Sequence, residues 1–157
     1  MNTRTLYCIL VAMFVLSACS ALSPTPADPP QPLASPADSW AISLTQSGGF
    51  IGMMQTVEIS SDGQLKAEDQ RAGKQVTRTL PPATIARLAR MYSSLLGKPA
   101  QTVPSVCADC FVYDLQIMNG SARVHMQLDD TSLADSGAGA LVSLLQQLRD
   151  EALGSQP

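Results

Sequence analysis

Few side chains in this 157-residue sequence are suited to chemistry, and most of those lie in its second half. Cys107-Ala108-Asp109-Cys110 sets two thiols three positions apart. That spacing serves a local disulfide, thiol–disulfide exchange, or half of a zinc site. Zinc needs about four ligands, and the chain has no second pair of this spacing and one histidine, His125. Exchange chemistry prefers its first cysteine at a helix N-terminus, where the dipole stabilises thiolate; here a strand-like segment follows. His125 alternates with apolar Val124 and Met126, which puts it on an outward strand face. A catalytic histidine needs a partner within hydrogen-bond reach, and no G-x-S-x-G nucleophile motif is present. A surface histidine is the expectation. Asp129-Asp130 offers two carboxylates but no spaced loop of oxygen ligands, and reads as a solvated strand end. No catalytic residue, metal or cofactor is expected.

Ser47-Gly48-Gly49-Phe50-Ile51-Gly52 has a different character. Its glycines permit positive φ and close backbone approach, and Phe50 adds a large apolar group among them. Two readings stand. Phe50 folds inward and caps the core, or Ser47, Gly48, Gly49 and Phe50 form a contact loop for another protein.

Hydrophobic periodicity supplies the elements that position these residues. Trp40, Ile42 and Leu44 alternate with Ala41, Ser43 and Thr45, the pattern of a half-buried strand. Beyond the glycine loop, Met53, Val57 and Ile59 alternate with Met54, Thr56 and Glu58. Ser61-Asp62-Gly63 carries an Asp-Gly turn signal. Residues 64–69 and 75–80 form two more polar strands around Arg71-Ala72-Gly73, a polarity that suits a sheet edge. Pro81-Pro82 opens a helix, because proline in the first turn forfeits no hydrogen bond. Ile85, Leu88, Ala89, Tyr92, Leu95 and Leu96 make its apolar stripe, with Arg87 and Arg90 on the solvated side and Gly97 and Pro99 as the stop.

Residues 98–108 read as a loop. Phe111, Tyr113, Leu115 and Ile117 then alternate with Val112, Asp114, Gln116 and Met118, and Asn119-Gly120 signals a hairpin. Ala122, Val124, Met126 and Leu128 mark the return strand, and Leu141, Leu144, Leu145 and Leu148 a second amphipathic helix. The predicted order is β-β-β-β-α-β-β-α. It describes an α+β domain with a largely antiparallel sheet and two helices packed on one face. The domain spans residues 40–154, a normal single-domain size, with a short tail at 155–157.

The N-terminus places the domain in a compartment. Arg4 is the only charge before an apolar run from Leu6 to Leu16, and Leu16-Ser17-Ala18-Cys19 ends the run. That run is short of the ~20 residues a membrane-spanning helix needs. The four residues have the form of a lipobox, and the chain in this respect resembles bacterial lipoproteins. The resemblance implies a signal peptide at 1–18, cleaved so that Cys19 becomes a lipidated N-terminus carrying diacylglyceryl and often a third acyl chain such as palmitate. Several chains are needed because each buried methylene contributes only ~0.8 kcal/mol. Ser20, a non-acidic second residue, favours forwarding to the outer membrane in a double-membraned bacterium.

Residues 19–39 follow as a tether with prolines at 24, 26, 29, 30, 32 and 36. Proline density disfavours helix and sheet, and an extended spacer reaches ~3.1 Å per residue. In the oxidising compartment so implied, with Cys8 removed and Cys19 acylated, Cys107 and Cys110 are the remaining thiols. A local disulfide pinning the loop ahead of Phe111 is the reading. Without residues 1–18, nine basic side chains face thirteen acidic ones, a net charge of −4. No basic run or basic–aromatic stripe is present, so nucleic acid is not an expected partner.

The run Ile42-Ser43-Leu44-Thr45-Gln46-Ser47-Gly48-Gly49-Phe50-Ile51-Gly52 resembles the opening of emfourin-type proteins, small inhibitors of thermolysin-like (M4) metallopeptidases. The likeness continues through Leu80-Pro81-Pro82 at the first helix, the aromatic-rich strand after it, and Asp129-Asp130. It implies an antiparallel sheet with helices and inhibition by occlusion of an active-site cleft. The lipobox, the tether and Cys107-x-x-Cys110 depart from the small inhibitors. The expectation is a lipid-anchored, extracytoplasmic domain of the cell envelope that binds protein and is not an enzyme. Its partners would be the bilayer, through Cys19, and either a metallopeptidase or an envelope component.

Overall fold

Alternation along residues 40–46 sets the architecture. In a computed structural model, which describes residues 39–102 and 107–154, Trp40, Ile42, Leu44 and Gln46 are buried while their neighbours are not. The expected signal peptide, Cys19, the tether as far as residue 38, and the tail lie outside the described residues. The elements are β1 (Trp40–Gly48), β2 (Met53–Ser60), β3 (Gln64–Asp69), β4 (Lys74–Thr79), α1 (Pro82–Ser93), β5 (Gln101–Thr102), β6 (Phe111–Asn119), β7 (Ala122–Asp129) and α2 (Gly139–Leu153).

The strands form one sheet in the order β4-β3-β2-β1-β6-β7-β5. Every pairing is antiparallel except that of β5, which runs parallel to β7 through Gln101↔Met126 and Thr102↔Gln127. The expected α+β class with a largely antiparallel sheet is what the chain adopts. Its one addition is β5, within a stretch expected to be loop. Two residues are too few to show the alternation by which a strand is read from sequence.

Turn chemistry sets the registers. Gly63, with φ +89, ends a three-residue β2–β3 connection in which the Asp62 carboxylate accepts from the Gln64 amide. The β6–β7 turn is Gly120-Ser121, one residue later than an Asn-Gly centre, because Asn119 pairs with Ala122. Gly120 at φ +57 stands at the first central position, where a type II′ turn requires glycine. Pro81 caps α1 and Pro82 occupies its first turn, as expected, and Gly154 closes α2 in the left-handed conformation.

The core lies on one face of the sheet. Ile42, Leu44, Val57, Ile59, Leu65, Leu115, Ile117 and Met126 are enclosed there with Leu88 and Leu95 from the α1 segment and Leu141, Val142 and Leu145 from α2. At the Ser39 end, Trp40 packs against Tyr92, ring centroids 5.3 Å apart. All of these residues fall between Trp40 and Leu153, so the segment carries its own core. Arg87 and Arg90 are exposed, as the helical stripe requires. None of the described helices is long and apolar enough to cross a membrane.

Candidate functional site

The β1–β2 connection is a four-residue turn, Gly49-Phe50-Ile51-Gly52, closed by a hydrogen bond from the Gly52 amide to the Gly49 carbonyl at 3.0 Å. Glycines with φ +69 and +64 flank it. Phe50 and Ile51 occupy the centre and point outward: Phe50 is 92% exposed and Ile51 61%. The core-capping reading of Phe50 is therefore overturned. Burying such a side chain is worth about 1.5–3 kcal/mol, and in the folded chain that stabilisation is not drawn on.

The base of this finger is tightly fitted. Gly48 has φ +98, and a Cβ there would stand 2.6 Å from the Cys110 carbonyl oxygen. The Gly49 amide donates to that same oxygen at 3.3 Å, and a Cβ on Gly49 would meet the Phe111 ring at 2.5 Å. Both glycines are thus required by close approach as well as by φ. Cys107 and Cys110 form the expected disulfide, so the carbonyl that holds the finger belongs to a cross-linked loop. On the other flank the Arg71 guanidinium donates to the Ile51 carbonyl. Ser47, Gly48, Gly49 and Phe50 are therefore contiguous in space, with Phe50 and Ile51 foremost.

Beneath the finger the interior turns polar. Gln46 Oε1 accepts from Arg149 Nη1 at 2.8 Å and from Gln146 Nε2 at 3.0 Å. Arg149, only 4% exposed, also donates from Nε to Asp150 Oδ1 at 2.8 Å. Gln55 donates to Asp69 at 2.8 Å; the Ala72 amide and then Gln55 hold the Asp69 carboxyl below its usual range. Tyr113 donates to Asp130 Oδ1 at 2.7 Å, and burial first, then Asp130, pushes its hydroxyl up to about 12.

Asp129 departs from expectation. It is buried, not a solvated strand end: Oδ1 accepts from the Thr131 and Ser132 amides and hydroxyls at 2.7–3.0 Å. Those bonds, Thr131's hydroxyl foremost, lower its pKa to about 2. Asp130 is exposed but binds the Phe111 amide and Tyr113. Asp130 thus braces Phe111, which packs against Gly49, while Asp129 holds its own turn, and among the described residues no group of three metal-ligating side chains gathers.

His125 is exposed as expected, and it has a partner that periodicity did not point to. Its Nε2 lies 2.9 Å from Asp114 Oδ2 on the open sheet face. The hairpin register signalled it: Gln116 faces His125, so Asp114 sits diagonally across on the same face. The Arg149–Gln46 bond had a weaker signal, an outlying glutamine closing the apolar series Trp40, Ile42, Leu44.

No protein-family model matches this chain, and no curated protein matches its sequence.

Proposed function

We propose that this chain is a lipid-anchored, extracytoplasmic protein-binding lipoprotein that holds its partner through the β1–β2 finger. The partner would be a thermolysin-like metallopeptidase, inhibited by occlusion of its cleft. The observation that carries the reading is the finger itself: two large apolar side chains held in water on a turn that is pinned on both flanks. Pre-organisation of this kind lowers the entropy cost of binding, and an exposed aromatic on a rigid mount is a typical interface anchor.

Further support comes from the lipobox at residues 16–19, from the likeness of residues 42–52 to emfourin-type inhibitors, and from the disulfide, which suits an oxidising compartment. The chain enters β1 at Ser39, and nine residues at ~3.3 Å each carry the finger about 30 Å from that point. The thiols are joined, Asp129 holds its own turn and Asp130 holds the start of β6, which supports structural roles for these groups.

The test is titration of residues 40–157 against a thermolysin-like peptidase, following residual activity after long preincubation. Tight inhibition that weakens by more than tenfold, about 1.4 kcal/mol, in Phe50→Ser supports the reading. A folded domain that leaves activity intact at micromolar concentration overturns it, and assigns the finger to docking on an envelope assembly instead.

A further inference from the structure

β4 closes one side of the sheet and β5 the other, and the two edges are protected very differently. β5 has two residues. β4 has six, all exposed except the half-buried Val76, and among the described residues its backbone pairs only with β3. Its alternate residues therefore direct amide and carbonyl groups outward, as on any edge strand. Sheet edges are usually blunted by proline, a bulge, brevity or charge. β4 contains no proline, and its register with β3 runs unbroken from Gln64↔Thr79 to Asp69↔Lys74. Among the described residues, what guards it is charge.

That charge has one sign and one face. Val76 lies opposite buried Ala67, so Lys74, Val76 and Arg78 share the helix-bearing side. The Lys74 ammonium donates to the Leu153 carbonyl at the end of α2, while Arg78 makes no hydrogen bond or ion pair among the described residues. In a chain with thirteen acidic and ten basic residues, Lys66, Arg71, Lys74 and Arg78 fall on this one hairpin against two carboxylates, Glu68 and Asp69, of which Asp69 stands opposite Lys74 and leaves Arg78 the unmatched cation of the edge. Like charges directly opposite destabilise a strand pair and opposite charges stabilise it.

We propose that β4 is a strand-addition site for an extended acidic segment of another protein, which pairs with the free edge and lengthens the sheet. Side chains two apart share a face, so the fitting segment alternates: an apolar residue to cover Val76, with carboxylates two positions to either side to meet Lys74 and Arg78. Main-chain hydrogen bonds supply affinity and the alternate side chains specificity, as in other strand-addition complexes. The β3–β4 turn that carries this edge touches the finger through Arg71 and Ile51, yet the inference requires nothing of the finger.

The experiment uses the full chain in neutral detergent micelles and two short synthetic peptides. In one, glutamates flank a central valine at two-residue spacing with threonine between; the other has lysine for glutamate. Binding is read by anisotropy, and amide exchange over residues 74–79 by mass spectrometry. With the glutamate peptide at about ten times its Kd, exchange of the outward β4 amides slows about tenfold, and the lysine peptide has no effect. Arg78→Glu, an exposed change checked by circular dichroism, reverses the preference. Three outcomes overturn the proposal: no binding at millimolar peptide, equal binding of the lysine peptide, or binding that leaves residues 74–79 unprotected. None of these bears on peptidase inhibition, which fails or stands with Phe50.

Discussion

The two ends of β1 partition polar and apolar groups in opposite ways. At the Trp40 end the arrangement is closer to the ordinary one: an indole packs on Tyr92, Gln64 is exposed, and Met118, opposite Ala41, is half-exposed. At the Gly48 end it inverts. Gln46, Gln55 and Arg149 are inside, and Phe50 and Ile51 are outside. Folding alone favours the first arrangement, since apolar burial stabilises and buried polar groups require partners. An end that hydrogen-bonds its interior while leaving Phe50 and Ile51 in water is what the proposed contact role requires.

Breaking the ordinary part of β1 should have the largest effect. Leu44 is fully enclosed, and Leu44→Ala is expected to cost about 2–5 kcal/mol in urea unfolding. Gly48→Ala comes next. Its φ of +98 and the Cys110 carbonyl both oppose a Cβ, so a loss of about 1–3 kcal/mol is expected, with faster amide exchange over residues 49–53. Replacing Cys107 and Cys110 together by serine should lower stability by about 2 kcal/mol, the closure entropy of so short a loop. A thiol oxidoreductase would lose turnover in that variant, whereas a structural cross-link loses stability alone.

The finger end is also sensitive to acid. Asp129 has a folded pKa of about 2 against an ordinary 3.8, because Thr131 and Ser132 donate to it. The unfolded chain therefore binds more protons through that interval, and stability rises with pH across it. The contribution is present above about pH 4 and disappears as pH falls through about 2. Asp69, lowered chiefly by the Ala72 amide, acts in the same direction. Unfolding followed by fluorescence between pH 5 and 2 should show the decline, and Asp129→Asn should flatten it.

How much of this was legible in the sequence depends on whether the signal was periodic. Leu44 and Val57, Leu115 and Met126 announced strands, and Leu88 and Tyr92 a helix, because a buried face imposes a repeat on the residues that line it. β5 has too few residues to repeat anything. Asp129 looked like any polar residue at the end of a strand; its role depends on Thr131 and Ser132 folding back onto it, which is turn geometry and not periodicity. Gly48 and Gly49 announced a tight place without saying what was tight against them. That the obstacle is the Cys110 carbonyl follows only once β6 lies beside β1. Phe50 was the sharpest ambiguity, since a lone aromatic beside glycines fits a core cap and a contact loop equally well.

That ambiguity also locates the most direct test. On the proposed reading, Phe50 and Ile51 serve contact and not the fold. Urea unfolding of Phe50→Ser/Ile51→Ser, measured beside the unaltered domain, addresses it without any partner. The expected stability lies within about 0.5 kcal/mol of the original, the range for surface substitutions. A loss of about 1.5–3 kcal/mol, the worth of a buried large apolar side chain, would contradict the claim and return Phe50 to the core.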